Sequence, residues 1–185
     1  IVEMCGYAGF DFVILDNEHG SATLETTEHM LRAARASGIA TAVRCLRHDI
    51  SRVLDMGAGG VQIPMVGSAE EARDLVQQVR YPGVGRRGSA FSPRAAGYGA
   101  FPGAAHTTRS NEGIALIVMV ETPEAVEQAA EIAAVDGVDA VFVGPNDLSH
   151  AMGFGKDWKA PEVEAKIEQL SLIHISEPTR PERIS

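Results

Sequence analysis

The chain has 185 residues, 45% of them hydrophobic, with 16 Lys and Arg against 25 Asp and Glu, a formal net charge of −9. That size and apolar content suit one globular domain with a sizeable core, or part of a larger one. The acidic balance argues against nucleic acid, whose phosphates need a basic face, and no apolar run approaches the ~20 residues of a membrane span.

Residues 1–6 read as the last turns of a helix. The start, Ile1-Val2-Glu3-Met4-Cys5, carries no basic region and no cleavage signature, so no signal peptide is expected. Cys5 and Cys45 lie too far apart in sequence for a disulfide framework or a zinc site, and the cytoplasm is the expected compartment. Residues 12–15 form an apolar run rich in β-formers and too short for a helix, which predicts a buried strand. It ends in Asp16, Glu18 and His19. Two carboxylates and an imidazole at the carboxyl end of a buried strand make a proton-transfer or metal site. The alternative is a solvated turn in which Asp16 or Glu18 caps the next helix.

Residues 22–37 carry Leu24, Thr27, Leu31 and Ala34 at helical spacing, with Gly38 as a terminating residue. Residues 39–43 are a second short strand, ending in Arg44. Asp49 can cap a short helix over 50–56, and residues 61–66 are a third strand, cut by Pro64. Ser68 and Glu71 form a capping box for a helix over 69–80. Residues 114–120 are a fourth apolar run, ending in Glu121; Thr122 and Pro123 then open a helix to about Ala134. Residues 138–143 are a fifth run, ending in Gly144-Pro145-Asn146-Asp147, and a last helix starts near Pro161.

Residues 170–185 (Leu-Ser-Leu-Ile-His-Ile-Ser-Glu-Pro-Thr-Arg-Pro-Glu-Arg-Ile-Ser) break with what precedes them. Residues 170–180 resemble the fixed part of a translated transposon-type sequencing adapter, with 181–183 in the place of a sample index. Such a tail is non-native and is left out of fold reasoning. Residues 1–169 are then expected to be an internal piece of a longer protein.

Buried strands alternating with amphipathic helices mean βαβ units and a parallel sheet. The polar residues gather at strand carboxyl ends: Asp16, Glu18 and His19, then Arg44, Glu121 and Asp147. In a (β/α)₈ barrel those ends share the active face, whereas a doubly wound sheet uses only its switch point. Functional groups on most strands favour the barrel. Five strands where eight are required predict an α/β fold, a partial TIM barrel that leaves edges and apolar surface open. Such a piece is expected to be unstable or aggregated and inactive.

Gly83-Val84-Gly85-Arg86-Arg87-Gly88 matches GxGxxG, but it follows a helix end and no helix begins at it, so the dinucleotide reading is rejected. Residues 81–109 form a long Gly- and Pro-rich stretch with Arg86, Arg87, Arg94 and Arg109, expected to be a lid that meets an anionic substrate rather than a solvated linker. His29, His48, His106 and His150 are expected at the surface or in loops, and His174 lies in the tail.

The only lysines are Lys156, Lys159 and Lys166, none at the end of an apolar strand, which disfavours Schiff-base chemistry. Glu121 and Asp147 can instead hold a hard divalent cation through oxygen, the other positions filled by water and substrate, a pattern that suits Mg²⁺ or Mn²⁺. Arg44 offers a planar fork for a substrate carboxylate, and His19 is the natural acid/base. Together they describe a site that chelates a 2-oxo acid, stabilises its enolate with a metal and shuttles a proton.

Several motifs in order carry a resemblance: Asp16-x-Glu18-His19-Gly20, Val43-Arg44, Val53-Leu54-Asp55-Met56-Gly57-Ala58, Ile63-Pro64-Met65-Val66, Arg80-Tyr81-Pro82, Gly85-x-Arg87-Gly88, Val120-Glu121-Thr122 and residues 137–149 around Gly144-Pro145-x-Asp147. Over nearly all of residues 1–169 the chain resembles the HpcH/HpaI aldolases, metal-dependent class II pyruvate aldolases. The resemblance implies a TIM barrel present from its second to its sixth strand. By position it makes Glu121 and Asp147 the metal ligands, Arg44 the binder of the substrate carboxylate or enolate oxygen, and His19 the acid/base in carbon–carbon cleavage. It has Asp55 orient a His19 of a neighbouring subunit, Gly144 and Pro145 line the 2-oxo acid pocket, and Asp16 and Glu18 support the site from behind. It implies a 4-hydroxy-2-oxo acid split into pyruvate (or a close 2-oxo acid) and an aldehyde, and a homo-oligomer, commonly a hexamer. Met119 and Asn146 depart from the Gln and Ala of many relatives, and Arg47-His48-Asp49-Ile50 from Trp-Asn-Asp-Pro; the first two bear on the substrate.

Other readings stay open at this level. Arg44 could pair with Asp16 as a structural bridge, Asp55 could sit on a helix surface, and Asp147 could cap a turn. The scaffold could run another enolate reaction, such as decarboxylation or addition to a different acceptor, or bind a 2-oxo acid or metal without turnover.

Overall fold

The computed structural model describes residues 1–101 and 103–176. After a helix α1 (Val2–Tyr7), strand β1 (Phe12–Asp16) leads through α2 (Leu24–Ser37) to β2 (Ala40–Arg44), and α3 (Ile50–Asp55) leads to β3 (Gly60–Ile63). Helices α4 (Ala69–Val79) and α5 (Gly103–Gly113) precede β4 (Ala115–Val120); α6 (Pro123–Glu127) and α7 (Ala129–Ala133) precede β5 (Ala140–Val143). Helices α8 (Pro145–Ala151) and α9 (Pro161–Ser176) follow. The five strands pair in parallel in the order β1-β2-β3-β4-β5. A doubly wound sheet reverses its order at a switch point; this one never does, so it winds as part of a barrel.

Register divides the side chains into two faces. Leu15, Val43, Val61, Ile63, Leu116, Val118 and Val120 point to the helices and form the core with Leu31 and Ala34 of α2 and Ala72, Leu75, Val76 and Val79 of α4. Each buried Val, Leu or Ile there contributes ~1.5–3 kcal/mol. The opposite face carries Phe12, Ile14, Ala42, Gln62, Ile117, Met119 and Phe142, related by the pairs Phe12↔Ala40, Arg44↔Gln62, Gln62↔Ile117 and Met119↔Phe142. It is covered at the centre, where Gln62 and Met119 are buried, and open at its margins, where Phe12 is 56% and Phe142 44% exposed.

Local signals hold with small revisions. Thr23 and Thr122 cap α2 and α6 through their hydroxyls, Pro123 opens α6, and Gly38 ends α2 in the left-handed conformation. The helix expected from Thr122 to Ala134 is split at Gln128 into α6 and α7. Asp49 makes no capping hydrogen bond and belongs to a tight turn before α3. Only half of the Ser68/Glu71 box forms: Ser68 Oγ accepts from Glu71 N, while the Glu71 carboxylate accepts from Gly67 N and Arg47. Helix α9 continues unbroken across the expected boundary at residue 170, with Leu170 buried, and residues 177–185 of the expected tail lie outside the described residues. No helix among the described residues is long and apolar enough to cross a membrane.

The expected lid is not over the strand carboxyl ends. The stretch after α4 joins the end of a helix to the start of β4, so topology holds it at the amino-terminal rim. Its contacts agree: Arg94 Nη1 donates to Met56 O at 2.6 Å, Arg87 Nη2 to Asp55 Oδ1 at 2.7 Å, and Tyr81 N to Asn111 Oδ1 at 2.7 Å. It also contains a helix, α5, that its Gly-rich sequence concealed, and His106 on that helix is buried against Tyr81 rather than at the surface.

Candidate active site

Asp16 and Arg44 end β1 and β2 as register partners, so both project from the sheet's open face at the carboxyl rim. The guanidinium meets the carboxylate side-on, Nε to Oδ1 at 2.8 Å and Nη2 to Oδ2 at 2.5 Å. Asp16 Oδ1 also accepts from the backbone N–H of Glu18 and His19, at 3.0 and 3.3 Å, and so folds the following loop back over the strand end. Gly20 completes that turn, because a Cβ there would lie 2.2 Å from the Asp16 carbonyl oxygen. Thr27 Oγ1 donates to Asn17 Oδ1 at 2.8 Å, and Asn17 N to Arg44 O at 2.8 Å, tying the loop to α2 and β2.

The Arg44 bond, opposed by burial and helped by the two backbone donors, holds the Asp16 carboxyl down at about 2 against an ordinary 3.8. A carboxylate depressed in the folded state stabilises above its unfolded value, and that contribution is lost as pH falls from about 3.8 through 2. Asp16 is 34% exposed, so solvent screening leaves about 1 kcal/mol of the effect. Urea titrations at pH 5, 3 and 2 are expected to show the parent losing this increment stepwise. Asp16→Asn starts lower and loses correspondingly less; equal slopes for the two proteins would contradict the assignment.

Glu18 lies behind the pair, with Oε2 buried, 3.5 Å from Arg44 Nη1 and 3.9 Å from His19 Nε2. His19 itself projects from the rim with 67% of its side chain exposed. Next to Arg44 in register stands Gln62, a buried amide that sequence reading missed. Its signal was there: it is the one polar residue in Val61-Gln62-Ile63, at the alternation that puts it on the Arg44 face.

Glu121 follows β4 and is 3% exposed, with Oε2 accepting from Met65 N at 2.7 Å. Burial raises its carboxyl, Asp147 and Glu18 add to the rise, and the Met65 N–H and Arg44 oppose it. These charges therefore act on one another across one rim, which is what the metal reading requires. Asp147 stands exposed in the first turn of α8, whose N-cap is Gly144 with Pro145 next; it does not cap. Oxygen-only donors carrying two negative charges fit a hard divalent cation that keeps several waters. Among the described residues no three His, Cys, Asp or Glu side chains gather closely enough to complete a shell from protein alone. Burial pushes the neighbouring Cys45 thiol up to about 12, so it offers no nucleophile near neutrality.

One expectation changes in detail, and one residue lies elsewhere in the same chain. The Arg44 fork is not free: Nε and Nη2 are taken by Asp16, and Nη1 lies 3.5 Å from Glu18 Oε2 with no hydrogen bond between them, so an incoming anion would meet Nη1 end-on beside that carboxylate. Asp55 is not at this rim. It ends α3 at the amino-terminal side and binds Arg87, whose side chain is fully buried and lies 4.4 Å over the Tyr81 ring. The structure thus brings together Asp16, Glu18, His19, Arg44, Glu121, Gly144, Pro145 and Asp147, and leaves Asp55 on the opposite side of the same chain.

Comparison with known proteins shows the family and the fold. The HpcH/HpaI aldolase/citrate lyase family profile matches residues 1–177. The 2-dehydro-3,6-dideoxy-6-sulfogluconate aldolase of Pseudomonas putida is 39% identical over 168 residues, 89% of this chain and 65% of that protein. The hydroxypyruvate/pyruvate aldolase of Delftia acidovorans is 40% identical over 90% of this chain and 63% of its own length. The chain thus spans less than two thirds of these relatives. An HpcH/HpaI aldolase/citrate lyase family protein from Burkholderia cenocepacia superposes with a TM-score of 0.88 at 31% identity, over 94% of this chain and 70% of that one. An HpcH/HpaI aldolase from Desulfitobacterium hafniense gives 0.85 at 33%, over 94% and 68%. The profile match over nearly the whole chain and the shared barrel architecture show that this chain belongs to the HpcH/HpaI aldolase/citrate lyase family.

Proposed function

We propose that the rim is the active site of a divalent-metal-dependent aldolase that interconverts a 4-hydroxy-2-oxo acid with pyruvate, or a related 2-oxo acid, and an aldehyde. The observation that carries the reading is the meeting of Glu121, Asp147 and Arg44 charges at one end of the sheet, and the aldolase names of the relatives support it. Glu121 and Asp147 would hold the cation, Mg²⁺ or Mn²⁺, which when bound supplies a Lewis acid to the oxygens of the 2-oxo acid. Arg44, fixed by Asp16 and backed by Glu18, offers Nη1 to the oxygen on which negative charge develops as the carbon–carbon bond breaks. His19 takes the proton of the 4-hydroxyl in cleavage and returns it in addition. Gly144 and Pro145 line the floor beside Glu121.

Asp55 serves a neighbouring copy in this reading. Within one chain it lies at the rim opposite His19, yet its side chain remains 26% exposed with only Oδ1 engaged by Arg87. A homo-oligomer, a hexamer by the family resemblance, would bring the amino-terminal rim of one subunit to the His19 of the next.

Cleavage ends by adding a proton to the enolate carbon that becomes the pyruvate methyl, addition begins by removing one, and that proton transfer can be followed alone. With a full-length homologue that carries this rim, pyruvate in D₂O is expected to exchange its methyl protons, seen by ¹H NMR, with Mg²⁺ or Mn²⁺ present, to stop with chelator and to resume on adding metal back. Exchange that continues at full rate in excess chelator would defeat the proposal.

A further inference from the structure

Met65 adopts a left-handed backbone conformation, φ +55°, that a residue with a Cβ rarely takes. Its side chain is 57% exposed, so packing does not explain the strain. The backbone does. β3 ends at Ile63, Pro64 has no N–H to continue the ladder, and the chain turns at Met65 before Val66 N rejoins β4 by donating to Met119 O at 3.0 Å. The turn aims Met65 N–H at Glu121 Oε2, 2.7 Å away. From the other side Gly144 closes on the same carboxylate: a Cβ there would stand 2.5 Å from Oε1, 2.7 Å from Cγ and 3.0 Å from Cδ. Among the described residues no hydrogen bond reaches Oε1.

We propose that Met65 is a positioning residue: its left-handed backbone and the bare α-carbon of Gly144 clamp the Glu121 carboxylate, the amide holding Oε2 so that Oε1 is presented to a divalent cation. This rests on the reading of Glu121 as a metal ligand. What matters at position 65 is the backbone conformation and its N–H, not the thioether. Glycine, which enters this conformation freely, should therefore preserve the function, and a β-branched residue, which resists it most, should damage it. At position 144 a single methyl should displace the carboxylate.

The test is Mn²⁺ affinity of the folded protein, titrated by electron paramagnetic resonance, with far-UV circular dichroism and a melt on every variant. Met65→Gly is expected within about twofold of the parent, Met65→Ala weaker, and Met65→Ile and Gly144→Ala weaker by about tenfold or more, the scale of removing a group that orients a ligand. A Met65→Ile that keeps parental affinity, or a Met65→Gly as weak as Met65→Ile, overturns the proposal. Should Met65→Ile not fold, the Gly-to-Ala step at position 65 decides, equal affinities counting against it. Glu121→Gln separates the two levels. If it binds Mn²⁺ normally, the metal reading falls and the positioning role with it; if it loses binding while Met65→Ile does not, the positioning role alone falls.

Discussion

Under the proposed aldolase reading, Glu121→Gln in a full-length homologue that carries this rim is expected to slow metal-dependent exchange of the pyruvate methyl protons by about 10³-fold or more, while the protein melts at or above the parental temperature. Both halves follow from one fact. The carboxylate is buried, and burial raises its carboxyl with Asp147 and Glu18 adding to the rise, so the charged form is costly in the folded state. Removing the charge relieves that cost, and the side-chain amide oxygen can still accept from Met65 N–H, so the rotamer survives. On the proposed reading what is lost is the negative oxygen toward the cation, and among the described residues no group of three His, Cys, Asp or Glu gathers to take its place. Activity and stability thus move in opposite directions, as they do where a site is built on a costly charge. Exchange near the parental rate in Glu121→Gln would show that catalysis does not run through this carboxylate.

What the sequence made legible is local. Apolar runs ending in polar residues located the strands, and the polar ends marked Asp16, Arg44 and Glu121 as neighbours on one rim, because parallel strands in consecutive order carry their ends to one face. The Asp16–Arg44 bridge was visible as an alternative; that it occupies the guanidinium's side-on edge depends on rotamers that sequence does not encode. The stretch after Tyr81 was misplaced because four arginines and many glycines suggest a substrate lid, whereas connectivity from a helix end to a strand start puts it at the far rim. His106 was misread for a related reason. Helix α5 has a weak amphipathic pattern, and its burial comes from Tyr81 and Phe91, distant in sequence. Met65 stands in the Ile63-Pro64-Met65-Val66 motif, but its left-handed backbone gave no signal, since that conformation at a non-glycine position has no composition cue.

Asp55→Ala is expected to destabilise the folded protein by about 2–3 kcal/mol, independently of any catalytic role. Its partner Arg87 has no exposed side-chain surface, and among the described residues Nε and Nη1 find no hydrogen-bond partner. The Asp55 carboxylate at 2.7 Å and the Tyr81 ring at 4.4 Å are its compensations, and the ring is worth only about 1–2 kcal/mol. Deleting the carboxylate leaves a buried cation nearly uncompensated; the 26% exposure of Asp55 holds the loss below that of a fully buried pair. Arg87→Met should cost less, since Asp55 can turn to water and the thioether can pack on Tyr81. The double variant should then be more stable than Asp55→Ala alone, because the charge that made the single change harmful has gone. Urea unfolding of the four proteins closes a double-mutant cycle. Strictly additive losses would mean the pair contributes nothing through its contact, and Asp55 would then be held at its rim by something other than Arg87.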